Sequence, residues 1–445
     1  MDWDGYLSTE PQDKPVPTSS GPDGTDRPYQ FGGLLRQRNF RLLWIGESVS
    51  ATGNSMAVVG IPLLAVAVLH ASTFLVPALT AAAYLPWLVI GIPAGAWVDR
   101  LPSRPVMIIC DAVSALLYAS LPMAAWAGAL TTGQLLTVAL LAGAANVFFT
   151  TAYQVYLPAV VTTGNLLEAN AKLQGSMSVA TIGGRSLAGV AAQAVGDAVA
   201  LMFNAGSFLF SAGCLLSIRA AAPHRQPAGR TGTIREEIAE GARFVLHDAF
   251  LRRLSYYAAV ANLAYTGSSA LVVLFLIRVA GFGAAWVGVL MGVSGAGGIA
   301  GALTARWVAS RLGTARALLL ITLSGGLAGL LIPLTGPGPR AAFYVAGAGL
   351  VGAGITGGNI IVTSFRQSYT PQAMLGRVTA SQRVLVFGTI PLGALLAGGL
   401  GTGLGVRNAL WALLIVYALS GTLLLTRAFL ADRNLPQATA TYSVR

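Results

Sequence analysis

From Phe74 to Val98 the chain carries no charge at all, and from Pro105 to Gly128 its only charge is Asp111. Each run spans about two dozen residues, enough for a helix to cross the roughly 30 Å hydrocarbon core of a bilayer. Between them lies a short polar loop, Gly95-Ala-Trp-Val-Asp99-Arg100-Leu-Pro-Ser-Arg104. Apolar runs of this length joined by so tight a turn leave one class of fold open. The chain must thread a membrane repeatedly as helices, because lipid offers the backbone no hydrogen-bond partners.

The rest of the sequence repeats this arrangement. Twelve spans are predicted, at about 41–69, 74–98, 105–127, 132–154, 168–194, 198–219, 254–278, 284–309, 315–335, 341–365, 377–402 and 408–427. The fold class is therefore an all-α membrane protein. Only 10% of the residues are charged, against about 25% in a soluble domain, and the mean hydropathy is +0.67. The 54 glycines suit helices that pack closely in lipid. Cys110 and Cys214 fall inside apolar spans and read as buried small residues.

The net charge of +12 does not describe a nucleic-acid-binding face, since the arginines are scattered through short loops. Counted by side, 24 basic residues fall with the two termini, and only Arg278, Arg340 and Arg407 lie in the opposite loops. Both termini are thus expected in the cytoplasm. Residues 1–37 read as a disordered cytoplasmic tail, 38–219 as a six-helix bundle, 220–253 as a cytoplasmic linker, 254–428 as a second bundle and 429–445 as a tail. No cleaved signal peptide is expected. Within the linker, Thr233 and Glu236 have the spacing of a capping box. Ile234, Ile238, Ala242 and Val245 then recur at helical spacing, predicting an amphipathic helix at the interface.

The two bundles repeat each other. At a shift of 213, Asn146, Thr150, Thr151, Gln154, Tyr156 and Pro158 meet Asn359, Thr363, Ser364, Gln367, Tyr369 and Pro371. At a shift of 209, Ala171, Gly184, Gly189 and Ala200 meet Ala380, Gly393, Gly398 and Ala409. Two parallel six-span halves related by an axis along the membrane normal are one known plan of secondary transporters.

The loop from Gly95 to Arg104 resembles the motif between spans 2 and 3 of the major facilitator superfamily. Ile234-Arg-Glu-Glu-Ile-Ala-Glu-Gly-Ala-Arg-Phe-Val-Leu, Ser364-Phe-Arg-Gln-Ser-Tyr-Thr-Pro371 and Gly376-Arg-Val-Thr-Ala-Ser-Gln-Arg383 further resemble its branch of enterobactin exporters and macrolide and multidrug efflux permeases. The resemblance covers roughly residues 38–430. It implies a rocker-switch exporter of small hydrophobic molecules, whose spans 1, 4, 7 and 10 line a cavity. It also implies a cytoplasmic latch of Asp99, Arg100 and Arg104 that joins the halves when the transporter is open outward. Gly95 is expected to let span 2 approach its neighbour. The second-half counterpart, Trp307 to Arg316, has no acid.

Charges inside spans are costly and mark candidate sites. Glu47 shares a helix face with Ser50 and Asn54, and Asp111 lies at similar depth in span 3. For Glu47 the open readings are proton coupling, a cationic substrate or structural pairing. For Asp111, pairing with Arg104 stands beside the same coupling or substrate role. Arg185, in the outer half of span 5, either meets an anionic group of a substrate or is paired structurally. Asn146 and Thr150, Asn262 and Tyr265, and Asn359 and Thr363 are cavity candidates, with interhelical hydrogen bonding as the alternative. Arg366 and Arg383 read as structural. No GxxxxGK[ST] loop and no metal-ligand spacing is present, so neither ATP drive nor a metal is expected, and the chain is not read as an enzyme. The expected partners are a small-molecule substrate, protons and the lipid bilayer, with no cofactor, no nucleic acid and a monomeric state. Proton-driven export is the expected function. Proton-coupled nutrient uptake and a non-transporting membrane sensor are the alternatives.

Overall fold

The computed structural model describes residues 33–98, 100–161, 165–196, 198–219 and 234–436, which are helical almost throughout. Ten helices are long and apolar enough to cross a membrane. The two remaining spans depart from a plain apolar rod for visible reasons. Span 5, Leu166–Val195, carries Glu168, Lys172 and Arg185. Span 2 is split into Leu75–Val89 and Gly91–Val98. The break at Ile90 follows from Pro93, which has no N–H for the carbonyl of Val89 and crowds that turn. Together these make the twelve spans expected.

Several helices outrun the apolar limits read from sequence. Span 4 continues to Val160 and span 10 to Tyr369. Hydropathy marks where lipid ends, whereas backbone hydrogen bonding lets a helix continue beyond it. Tyr156 is fully buried in the extension of span 4, and Phe365 is buried near the end of span 10. The interval helix, Ile234–His247, lies on the tail-side end of span 11, where Glu240 meets Arg377 at 2.8 Å and Gly241 sits against the Arg377 carbonyl. Thr233 lies outside the described residues, as do the linker before it, the first 32 residues and residues 437–445. Asp248 caps span 7 by accepting from the N–H groups of Phe250 and Leu251 at 2.9 and 2.8 Å. The Tyr369 hydroxyl donates to its other oxygen at 2.8 Å, tying span 7 to span 10.

Within the first half, neighbouring spans follow the order 5, 1, 6, 3, 4, 2, and within the second half 11, 7, 12, 9, 10, 8. The same order in both halves is the sequence repeat expressed as packing. Its glycines show how. A Cβ on Gly184 of span 5 would lie 2.6 Å from the Thr52 carbonyl of span 1. On Gly393 of span 11 it would lie 2.3 Å from the Leu263 carbonyl of span 7. Five residues on, Gly189 and Gly398 face across to the other half. A Cβ there would meet Ala284 of span 8 at 2.3 Å and the Phe74 ring of span 2 at 2.8 Å. No side chain fits at such distances; at Gly184, Gly189 and Gly393 backbone lies on backbone, and at Gly398 the Phe74 ring occupies the space.

The halves therefore join along two seams, spans 5–8 and 2–11. The described seam contacts fall in the middle of the molecule or on the side away from the termini, here the far side. Gln193 accepts from the N–H of Ala285 at 3.2 Å, Arg278 donates to the Ala71 carbonyl, and the rings of Trp87 and Phe387 stack at 4.4 Å. On span 5 the seam runs from Ile182 to Gln193. Among the described residues the halves are closed on the far side and parted on the tail side.

Two outcomes follow from this packing. Gly189→Val overfills the seam at a cost of about 1–3 kcal/mol, which shifts the balance away from the far-closed state by roughly 5- to 150-fold. Spin labels on spans 5 and 8 on the far side should then move apart in pulsed distance measurements, and unchanged distances would contradict this seam. Asp248→Ala should lower stability by about 1–2 kcal/mol, whereas Asp248→Asn, also a good cap, should lose less. Thermal melting of the purified protein checks both.

Candidate functional site in the bundle interior

Span 1 starts at Arg38, which puts Glu47 about two and a half turns into its helix. Its carboxylate looks into the first half. Asp111 of span 3 stands within electrostatic reach, and Tyr153 of span 4 lies beside it. Asp111 is only 1% exposed, with the Ser211 hydroxyl of span 6 in bonding range of one oxygen. One oxygen of each carboxyl group, Glu47 Oε1 and Asp111 Oδ2, is buried with no hydrogen-bond partner among the described residues. The two buried acids stand within electrostatic reach of each other, and no described cation forms an ion pair with either.

This corrects the pairing of Asp111 with Arg104. Arg104 instead donates through Nε and Nη2 to the carbonyls of Leu215 and Leu216, both at 2.8 Å. These are last-turn carbonyls of span 6, which have no partner within their own helix and form the negative end of its dipole, a natural seat for a guanidinium. Arg100 is exposed, and Asp99 lies outside the described residues. The two arginines of the expected latch do not reach the second half in this conformation. Gly95 has open space where a Cβ would stand, so the close approach expected there is not made. The counterpart loop is held differently. The Thr314 N–H donates to Asn434 Oδ1 at 3.1 Å, the Leu435 N–H donates to Thr314 Oγ1 at 2.8 Å, and Arg433 donates to the Arg311 carbonyl. A strap of chain after span 12 does for the second half what Arg104 does for the first.

Arg185 sits well away from the two acids, on the far side, as its place in span 5 implied. Its own carbonyl lies in the seam against Gly288. The guanidinium is within electrostatic reach of Tyr84 of span 2 and Tyr344 of span 10, and its Nε is buried without a hydrogen-bond partner among the described residues. Neither tyrosine is marked by the sequence, because an aromatic in an apolar span looks like any other core residue.

The remaining candidates divide. Asn262 donates to the Val386 carbonyl at 3.0 Å and to Thr389 Oγ1 at 2.7 Å, so its amide joins span 7 to span 11. The Tyr265 ring packs 6.0 Å from that of Tyr417. For Asn262 the interhelical hydrogen bond is the reading observed, whereas Tyr265 makes a ring contact and lies within electrostatic reach of Tyr344. Asn146 and Asn359 are exposed, and Thr150 and Thr363 are half-buried on the same faces. Asn146 lies seven residues before Tyr153, hence on the face turned toward Glu47. Asn54 is half-buried two turns beyond Glu47. Beside these, a cavity of about 620 Å³ lies between spans 1 and 5, lined by Trp44, Ser48, Thr52, Lys172, Ser176 and Leu187. Among the described residues no cluster of His, Cys, Asp and Glu could hold a metal ion.

An interior with unpaired acids at one depth and an unpaired cation at another, open on one side and sealed on the other, can bind and release. Known proteins agree. The chain is 29% identical over 391 residues to the multidrug efflux pump Tap of Mycolicibacterium fortuitum, covering 85% of this chain and 93% of that one. Among solved structures, the nucleoside transporter NupG superposes with a TM-score of 0.70 at 15% identity, covering 88% of this chain and 98% of that one. A bacterial homologue of the iron transporter ferroportin matches with a TM-score of 0.67 in its inward-facing state, at 15% identity, and 0.56 in its outward-facing state, at 14%. Each covers 87% of this chain and 98% of that one. Residues 43–390 match the family model of the Major Facilitator Superfamily. This multi-pass membrane protein belongs to the Major Facilitator Superfamily and is a transporter of small molecules.

Proposed function

We propose that the protein is a proton-coupled exporter of small, largely hydrophobic organic molecules, such as antibiotics, other natural products or siderophores. It acts as a monomer in a bacterial plasma membrane, with both termini cytoplasmic. The observation that carries the coupling is the Glu47–Asp111 pair. A carboxyl group in a low-dielectric site without a counter-charge favours its neutral form, and two that share a site resist ionising together. Such a pair takes up and gives back a proton as its surroundings open and close. Export is supported by the relatives named multidrug efflux pumps, and the orientation by the excess of basic residues on the tail side.

With the tail side cytoplasmic, the open side of the present conformation is the one from which an exporter loads. Cargo enters past Asn146 and Asn359 and advances to the closed end, where Arg185, Tyr84 and Tyr344 face it. The two halves then rock about their mid-membrane contacts. The far-side seams part, and the tail side closes, bringing the loop of Gly95, Asp99, Arg100 and Arg104 within reach of the second half. Glu47 and Asp111 are exposed to one side and then the other as this happens, so the proton gradient drives the cycle.

The test uses inverted membrane vesicles acidified inside, with ethidium as a fluorescent cargo. Wild-type protein should accumulate the probe when the gradient is imposed. Glu47→Gln, which is permanently neutral, should lose gradient-driven accumulation while keeping probe exchange across a vesicle with no gradient. Gradient-driven accumulation of normal size in Glu47→Gln would remove Glu47 from the coupling.

A further inference from the structure

Spans 10 and 11 bring two arginines together on the open side of the second half. Arg366 lies in the last turn of Ala341–Tyr369, and Arg383 stands about three turns into Gln372–Leu404. These helices run in opposite directions, and Cα–Cβ bonds tilt toward a helix's N-terminus. Arg366 therefore leans into the molecule and Arg383 leans toward the tail side, so the two side chains converge. Their guanidinium groups are within electrostatic reach of each other.

Both belong to the interior wall. On span 10, Gly349 and Ala353 pack on span 8, while Gly347 and Gly354 pack on span 9. Arg366 shares neither face. It lies with Asn359 and Thr363, seven and three residues back, on the face left over. On span 11, Gln382, Thr389 and Gly393 meet span 7, and Phe387 and Gly398 meet span 2. By helical spacing Arg383 falls between those two faces, where the helix fronts the space between the halves.

Neither guanidinium donates a hydrogen bond or forms an ion pair with a described residue, although Arg366 is half-buried. The nearby carboxylates are committed elsewhere, Glu240 to Arg377 and Asp248 to span 7 and Tyr369. Complementing the dipole at the end of span 10 accounts for Arg366 alone. Arg383 sits inside its helix, and two like charges facing one cavity repel unless an anion lies between them. Guanidinium forks match the planar, doubly accepting edge of an oxyacid.

We propose that Arg366 and Arg383 form a binding site for an anionic oxyacid group, a carboxylate, sulfonate or phosphate, at the open mouth of the cavity. The first half supplies unpaired acids and the second half supplies this unpaired cationic pair, so an amphoteric cargo spans both walls. That the anion belongs to the cargo rests on the transport reading above; the site itself does not.

The experiment measures equilibrium binding to the full-length protein in phosphatidylcholine nanodiscs, with 2-naphthoate and its neutral isostere 2-naphthamide as probes. Wild-type protein should bind the naphthoate at least about tenfold more tightly, the size of one or two charge-assisted hydrogen bonds. The single variants Arg366→Gln and Arg383→Gln should each cut that preference, and the double variant should erase it while leaving naphthamide binding unchanged. Replacing both by lysine should keep part of it. Naphthoate and naphthamide binding alike in the wild type would overturn the site. A preference that survives in both single variants, or in the double variant, would overturn it too and move the anion to Arg185. A further arm replaces part of the lipid with phosphatidylglycerol. Loss of naphthoate binding there supports the site with a lipid headgroup as occupant, and indifference supports it with a soluble anion. Because binding is read without flux, failure of vesicle transport and failure of this site are separate results.

Discussion

Backbone-to-backbone contact at glycine is the interaction on which this structure depends. In lipid there is no hydrophobic drive between helices, so they adhere through close packing, and the closest packing requires no side chain at the crossing. Gly184 on span 1 and Gly393 on span 7 build the halves, while Gly189 on span 8 joins them, helped by Gly398, which leaves room for the Phe74 ring at the start of span 2. The residues that hold each half together are thus one and a half turns from those that seal the far side. A rigid half and a breakable seam are written into the same helices. Rocking needs such a seam, which here runs along spans 5–8 and 2–11 with smaller contacts of span 7 to spans 1 and 2.

Charge is distributed to suit that motion. The unpaired groups are kept apart: Glu47 and Asp111 are buried within the first half, Arg185 lies toward the sealed end, and Arg366 and Arg383 stand at the tail-side mouth. Structural ionic groups are settled by contrast. Arg104 is spent on the carbonyls of span 6, Asp248 on a helix start and Tyr369, and Glu240 on Arg377. A charge buried without a partner costs free energy in every conformation that leaves it so. Such groups bias the protein toward taking up a proton or a charged ligand, the events that a transporter must couple to its change of shape.

Much of this was legible in the residues. Length and hydropathy mark the spans, because the lipid core demands a minimum apolar run. The repeat foretold the matched order of helices, and the matched glycines 184 and 393 carry it into packing. Glu47, Asp111 and Arg185 were found because a charge in an apolar run is conspicuous. Tyr84, Tyr153 and Tyr344 were not, since an aromatic residue in such a run has no signal of its own. Asn262 looked like a cavity residue and proved to join span 7 to span 11, because a polar side chain reads the same in either role until its partner is seen.

The sequence by itself determined that the chain crosses a membrane twelve times in two like halves, and which residues are too polar to be left in lipid. These are local properties, set by the cost of an unmet charge or backbone group in hydrocarbon and by helical spacing. Only the tertiary structure decided which of those groups face each other. Asp111 lies within electrostatic reach of Glu47 while Arg104 is bonded to span 6, Arg366 lies within reach of Arg383, and the described seam contacts close the far side. Those choices depend on how six helices rotate and cross within each half, and small differences in packing at a few glycines settle that rotation.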